Sequence, residues 1–211
     1  MLKKEVCTAT PQLDTKIKKT LKEFKQVWGS NEKVFEELCF CLLTPQSSAK
    51  QAMKSINALK NNDLLTKGSA KEKEEFVKKV RFYITKAKRL ELAQEKFPKE
   101  KIKELLITNG IKKDVLACRE FLVREVNGYG YKEASHFLRN IGFFEDIAIL
   151  DRHILKNLVK CGVIKEVPAS LNAKTYLAIE EKMRVFCEKN GLKLAELDLI
   201  FWSNETGNIL K

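Results

Sequence analysis

The sequence is poor in proline and glycine and has no long apolar run. Only four prolines and nine glycines occur among its 211 residues. No stretch approaches the roughly 18 consecutive apolar residues that a membrane-spanning helix needs. The first residues, MLKKEVCTATPQLD, lack the apolar core of a secretory signal peptide. We therefore expect an intracellular protein, either cytoplasmic or associated with the nucleoid, with no membrane partner.

The cysteines do not have the spacing of a metal site. There are six of them: Cys7, Cys39, Cys41, Cys118, Cys161 and Cys187. Their scatter matches neither a four-ligand zinc site nor an iron–sulfur cluster. In an intracellular protein we expect them to be reduced thiols, and the pair Cys39 and Cys41 to act as small buried hydrophobes. No metal and no organic cofactor is expected.

Acidic residues are outnumbered by basic ones. Lys and Arg total 40 against 28 Asp and Glu, which gives a formal net charge of +12. An excess of this size favours a polyanionic partner such as nucleic acid. Solvated basic faces without such a partner are the alternative, and charge alone leaves both open.

Alternating β patterns are also missing, and helical periodicity dominates. NEKVFEELCFCLLT, for example, places Val34, Phe35, Leu38 and Leu42 at helical steps, with Glu36 opposite. The sequence predicts an all-α protein of about ten helices. Residues 142–151, GFFEDIAILD, are a mostly apolar connection that could run buried between two helical lobes.

Residues 115–141 have the pattern of two helices joined by a short turn. Apolar residues recur at helical spacing on both sides of it: Val115, Cys118, Leu122 and Val126, then Ala134, Phe137, Leu138 and Ile141. In the turn, NGYG, Gly128 and Gly130 allow positive φ and close approach of the backbone to a ligand. Free N–H groups at the start of the second helix suit a phosphate. A tight turn without a ligand is the alternative.

Lys132 and Asp151 have the chemistry needed to break a glycosidic bond. Lys132 follows the turn, and Asp151 opens another helix 19 residues later. A carboxylate can stabilise an oxocarbenium-like transition state, and an uncharged lysine amine can attack C1′ and form a Schiff base. A solvated lysine and a purely structural N-cap are the corresponding structural alternatives.

VNGYGYKEA followed by ILDRHI resembles the helix-hairpin-helix DNA glycosylase superfamily, whose bifunctional members have a lysine nucleophile after the hairpin and then an aspartate. The resemblance implies that Lys132 and Asp151 are catalytic. Asn127 departs from the usual proline before the first glycine. CFCLLTPQSSAKQA resembles an early helix start of the superfamily, which implies that Gln46 fills the gap left by a flipped nucleotide. The cysteines after the aspartate are too few for the iron–sulfur branch.

GYKEASHFLRNIG and the ending LDLIFWSNETGNILK look most like the type 2 8-oxoguanine DNA glycosylase/lyase family. This resemblance implies that Lys211 binds the damaged base and that Trp202 and Phe82 sandwich it. The N7–H donor of 8-oxoguanine needs an acceptor, for which Asp198, a backbone carbonyl and the terminal carboxylate of Lys211 are all open. We therefore expect two helical lobes, 35–136 and 1–34 plus 137–211, with a cleft between them.

The expected partner is double-stranded DNA that contains 8-oxoguanine or abasic sites, bound by a monomer. Arg139, Arg152 and His136 are candidate phosphate contacts, although His136 could instead pack beside Phe137. The expected reaction is base excision followed by β-elimination. A related enzyme for another oxidised base and a non-catalytic helix-hairpin-helix DNA-binding module are the alternatives.

Overall fold

A computed structural model describes residues 10–207 of the chain. This part contains eleven α-helices, one 3-10 helix and no strand, which confirms the all-α prediction. The α-helices are α1 (Pro11–Val27), α2 (Asn31–Leu43), α3 (Ala49–Asn61), α4 (Ala70–Val77), α5 (Tyr83–Lys96), α6 (Ile102–Thr108), α7 (Val115–Glu125), α8 (Tyr131–Asn140), α9 (Arg152–Lys160), α10 (Ala173–Lys189) and α11 (Leu194–Thr206). The 3-10 helix is Lys99–Lys101. No helix within residues 10–207 has both the length and the apolar composition that a bilayer crossing requires.

Short polar side chains set where many of these helices begin. An oxygen of each capping side chain accepts a hydrogen bond from a backbone N–H of the first turn, which would otherwise lack a partner. The caps of this kind are Thr10, Ser30, Ser48, Ser69, Asp114, Asp151 and Asn172.

A first apolar core surrounds α2. Every residue from Leu38 to Leu43 is buried, so the C-terminal half of this helix is covered on all sides, and the helix contacts α3, α5, α6 and α8. Cys39 and Cys41 lie inside this core as free thiols, and burial raises the pKa of both well above that of an ordinary cysteine. Phe137 and Leu138 of α8 also pack into it. The lobe boundary expected at residue 136 stays a prediction.

A second apolar core joins α1 to the C-terminal helices. Ile17 packs there with residues of α9, α10 and α11. Residues 147–150 are buried, in agreement with the apolar composition of the connection between α8 and α9. Ile147 packs into the first core, whereas Ala148 and Leu150 pack into the second, so the connection passes from one core to the other immediately before Asp151.

Candidate active site

The hairpin between α7 and α8 is held by its backbone conformation and by a buried tyrosine. Gly128 has a φ of +99°, a conformation that side-chain-bearing residues rarely adopt. Tyr129 is buried, and its hydroxyl donates to the carbonyl oxygen of Leu38 at 2.9 Å. Gly130 differs from the expectation, because its φ of −109° is open to any residue. Its N–H donates to the Glu133 carboxylate at 3.2 Å, which ties the turn to the first turn of α8.

Lys132 lies in the first turn of α8, with its side chain 27% exposed. Its Nζ is 3.6 Å from Oε1 of the neighbouring Glu133. Burial raises the pKa of Asp198 on α11, and the charge of Lys132 opposes that rise. Burial and the charge of Arg89 lower the pKa of Lys86 on α5, and the charge of Lys132 adds to that effect. The Lys132 amine therefore lies within electrostatic range of both side chains.

Asp151 is the N-cap of α9, as its position in the sequence predicted. Its Oδ1 accepts hydrogen bonds from the backbone N–H groups of His153 and Ile154, both at 2.8 Å. The pKa of Asp198 is raised, chiefly by burial. The charge of Asp151 adds to this rise, whereas the charges of Arg139 and Lys132 oppose it. The charges of Lys132 and Asp151 thus both reach the Asp198 carboxylate, and their pairing in one active site stays a prediction.

Asp198 and Arg139 form a buried ion pair at this site. Arg139 also donates to Oδ1 of Asn140 at 3.1 and 3.2 Å, and its guanidinium lies 5.2 Å from the ring centroid of Phe24. Asn140 in turn donates to Oε2 of Glu37 at 2.9 Å. The guanidinium of Arg139 is thus turned into the protein, so these contacts do not support the phosphate contact expected for it, which stays a prediction.

Aromatic and basic side chains flank Asp151. The ring of Trp202, on α11, meets that of His153 edge to face at 5.5 Å between centroids. Arg152 is exposed, and its Nε donates to Nε2 of His153 at 3.2 Å. Trp202 is therefore held beside His153, two residues after Asp151 in the chain, and its stacking on a base stays a prediction. His136 is buried and its ring packs edge to face against that of Phe40, at 5.9 Å between centroids, so its expected phosphate contact stays a prediction.

Gln46 and Phe82 share an unusual feature: both are non-glycine residues with positive φ, at 54° and 60°, and both are exposed. Backbone strain of this kind concentrates at functional sites. The two turns are joined by Ser47, whose Oγ accepts from the backbone N–H of Arg81 at 2.9 Å and from Nζ of Lys86 at 3.1 Å. The structure thus joins the turn that carries Gln46 to the turn that carries Phe82. Both residues were expected to contact the DNA substrate.

Lys86 is a residue of this site that sequence reasoning did not identify. Its buried amine donates to the carbonyl oxygens of Leu43 and Pro45, both at 2.7 Å, so it fixes the turn that presents Gln46. Burial lowers its pKa to about 8, and the charges of Arg89 and Lys132 act in the same direction. Nothing in the helical pattern distinguishes it from the surrounding lysines. Lys211 lies outside the described residues.

A family model described as 8-oxoguanine DNA glycosylase matches residues 17–192. The chain belongs to this glycosylase family. A relative from Fusobacterium nucleatum, named 8-oxoguanine DNA glycosylase/AP lyase, is 47% identical over 95% of this chain and 93% of its own length. A relative of the same name from Methanocaldococcus jannaschii is 41% identical over 92% of this chain and 91% of its own length.

Solved structures of the glycosylase family have the same fold. The M. jannaschii 8-oxoguanine glycosylase/lyase, in complex with a 15mer DNA containing 8-oxoguanine, superimposes with a TM-score of 0.84 at 39% identity, over 94% of this chain and 93% of that one. The 8-oxoguanine DNA glycosylase of Thermotoga maritima gives a TM-score of 0.85 at 32% identity, over 100% and 98%. The predicted family and fold are confirmed.

Proposed function

We propose that the protein is a bifunctional DNA glycosylase/AP lyase that excises 8-oxoguanine from duplex DNA and then cleaves the strand. The mechanism rests on the placement of two groups: Lys132 lies in the first turn of α8, directly after the hairpin, and Asp151 is the N-cap of α9, and the charges of both reach the buried Asp198 carboxylate. An amine and a carboxylate are therefore held at one site, as nucleophilic displacement at a sugar carbon requires.

The chemistry divides between these two groups. With the damaged nucleotide flipped out of the helix, the uncharged amine of Lys132 attacks C1′. The C1′–N9 bond breaks, the departing base takes up a proton, and the Asp151 carboxylate stabilises the positive charge that develops on the sugar. Once its nitrogen has lost a proton, the covalent adduct forms a double bond from that nitrogen to C1′, while the C1′–O4′ bond breaks and O4′ takes up a proton; the sugar ring opens and a Schiff base results. Loss of a proton from C2′ then expels the 3′ phosphate by β-elimination. The two side chains supply these steps without a cofactor.

Base recognition is proposed for Trp202 and Phe82, which would stack on the flipped base, and for Lys211. Asp198 is less suited than the other candidates to accept the N7–H of 8-oxoguanine, because Arg139 already engages its carboxylate. A backbone carbonyl or the terminal carboxylate of Lys211 is therefore the favoured acceptor. Gln46, exposed at the tip of its turn, would fill the gap left in the duplex.

Binding of the duplex is proposed for the hairpin and the basic surface. Gly128 brings backbone close to a phosphate, Gly130 opens α8, and Arg152 is exposed at the start of α9. The net charge of +12 adds attraction that is independent of base sequence. We expect the protein to act as a monomer. Because chromosomal DNA is the proposed substrate, we also expect it to associate with the nucleoid, which imaging of a fluorescent fusion in cells would test.

The decisive experiment is borohydride trapping on duplexes that contain 8-oxoguanine. The wild type should form a covalent protein–DNA adduct, and Lys132→Gln should form none. Lys174→Gln is the matched control, because Lys174 is the second residue of α10 as Lys132 is of α8, and it is exposed. Equal trapping by Lys132→Gln would refute the lyase mechanism. Duplexes with an oxidised pyrimidine instead of 8-oxoguanine test the substrate, and preferential cleavage of these would favour the other glycosylase class.

A further inference from the structure

A buried ion pair connects α7 to α10. Arg119 of α7 donates from Nη1 and Nη2 to the two carboxylate oxygens of Glu180, at 2.6 and 2.8 Å. Neither side chain is more than 4% exposed. Removing two charges from water costs about as much as their attraction returns, and apolar replacements are often as stable. Stability alone is therefore a weak reason for placing this pair in the core.

The same network holds the backbone that leads to Asp151. Oε1 of Glu180 accepts from the N–H of Ala148 at 2.7 Å. The Tyr176 hydroxyl donates to the carbonyl oxygen of Ala148 at 2.6 Å and accepts from the N–H of Leu150 at 3.2 Å. Three backbone polar groups within the three residues before Asp151 are thus fixed by two side chains of α10. These residues lie outside any helix, so they depend on such contacts for a defined conformation.

The other end of the network reaches the helix that bears Lys132. Nη1 of Arg119 donates to Oγ of Ser135 on α8 at 3.2 Å. The ring of Tyr131, the residue before Lys132, lies 5.3 Å from the Arg119 guanidinium carbon and 5.4 Å from the Tyr176 ring. The first turn of α8 is therefore packed against the same side chains that hold the segment before Asp151.

We propose that Arg119, Glu180 and Tyr176 are positioning residues that fix Lys132 and Asp151 relative to each other. This inference rests on the proposed function and deepens it. None of the three touches the reacting atoms; they act through the backbone on either side of the catalytic groups. Displacing a reacting group by about 1 Å can slow a reaction on the order of 100-fold, so a network that defines this separation should govern the rate of excision.

Tyr176→Phe is the most selective perturbation, because it keeps the ring and removes only the hydroxyl. The carbonyl oxygen of Ala148 and the N–H of Leu150 then lose their side-chain partner, while the bond from the Ala148 N–H to Glu180 and the packing against Tyr131 remain. We expect the single-turnover rate of 8-oxoguanine excision to fall by about tenfold or more, within the range set by a displacement of up to about 1 Å. The Kd for the lesion duplex should stay within about twofold of the wild type, since the hairpin and the basic surface are unchanged.

Replacing Arg119 and Glu180 together separates positioning from stability. The double variant Arg119→Met/Glu180→Met leaves no unpaired buried charge, so its main cost is the Ala148 N–H that loses its acceptor, and its melting temperature should fall by only a few degrees. Its excision rate should nevertheless fall as that of Tyr176→Phe does. Lys73→Met is the control: Lys73 is fully buried and donates to the carbonyl oxygens of Lys67 and Gly68, so its loss perturbs a buried polar cluster of another turn. It should lower the melting temperature and leave the excision rate of the folded protein unchanged.

The outcomes distinguish a failure of the positioning role from a failure of the proposed function. Slow excision with unchanged DNA affinity in Tyr176→Phe, and again in the double variant if it folds, supports the positioning role. A rate within about twofold of the wild type in Tyr176→Phe overturns it, whether or not the double variant folds. A wild-type protein that leaves 8-oxoguanine in the duplex overturns the proposed function, and the positioning role with it.

Discussion

Gly128→Ala tests how the hairpin conformation contributes to stability and to DNA binding. The change has two costs. The φ of +99° is strained for any side-chain-bearing residue, and the new Cβ would lie only 2.6 Å from Cδ and Nε of Arg89. Strain of this kind costs roughly 1–3 kcal/mol. Arg89 is long and flexible, so it can move aside, which adds a smaller cost and displaces a guanidinium from the hairpin.

Gly191→Ala is the matched control for the first cost. Gly191 has a φ of +65°, and a Cβ added there would meet nothing within 4 Å. Its loss of stability therefore measures left-handed strain alone, roughly 1 kcal/mol. For a chain of this size 1 kcal/mol corresponds to about 2–4 °C in melting temperature. We expect a fall of about 2–4 °C for Gly191→Ala and about 5–10 °C for Gly128→Ala.

The effect on DNA should be confined to the hairpin variant. A methyl group at Gly128 blocks the close approach of backbone to phosphate, and the loss of one charge-assisted hydrogen bond costs about 1.5–3 kcal/mol, or about ten- to a hundredfold in Kd. Fluorescence anisotropy with an 8-oxoguanine duplex measures this, and thermal unfolding measures stability. Gly191→Ala should bind as the wild type does.

A double-mutant cycle with Arg89→Ala isolates the steric part. If the new methyl group collides with Arg89, removing that side chain should recover about 0.5–1 kcal/mol of the stability lost in Gly128→Ala. Additive losses would show that the contact with Arg89 is not the cause. Unchanged DNA affinity in Gly128→Ala would refute the proposal that this glycine serves phosphate binding.

Two further predictions concern the turns that carry Gln46 and Phe82. Burial lowers the pKa of Lys86 to about 8 from its ordinary 10.5, so between these values the unfolded chain binds more protons than the folded one. Wild-type stability against urea should therefore rise with pH across this window, and Lys86→Met should lack that rise; parallel slopes would contradict the assignment. Phe82→Gly relieves the strain at a φ of 60° and removes a ring that is 53% exposed. It should melt no lower than the wild type yet excise more slowly in single-turnover assays, whereas unchanged excision would contradict base stacking by Phe82.

Local patterns were sufficient to predict most of the fold and the centre of the site. The apolar stripes around the hairpin predicted α7 and α8, and Asp151 was expected at a helix N-terminus. These features depend on residues within one or two helical turns of one another, so periodicity and capping rules describe them. Gly130 shows a limit, because the sequence reveals the glycine but not its dihedral angles.

Pairings between distant residues could not be predicted in this way. Asp198 was a candidate acceptor for the N7–H of the damaged base, yet it is buried and paired with Arg139, 59 residues away in the chain. Arg119 and Glu180 are 61 residues apart in the chain. A charged residue in a helix looks solvated until its partner is known, and helical periodicity contains no information about that partner.

The placement of Lys86 follows from the strain that it maintains. In residues 10–207 positive φ occurs at three non-glycine positions, and two of them are Gln46 and Phe82. Such conformations persist only where surrounding contacts hold them. Ser47 and the Lys86 amine supply those contacts for both turns at once. Burying this amine costs stability, as its lowered pKa shows. The cost is understandable if Gln46 and Phe82 must keep a fixed spacing, so that one fills the gap in the duplex while the other stacks on the flipped base.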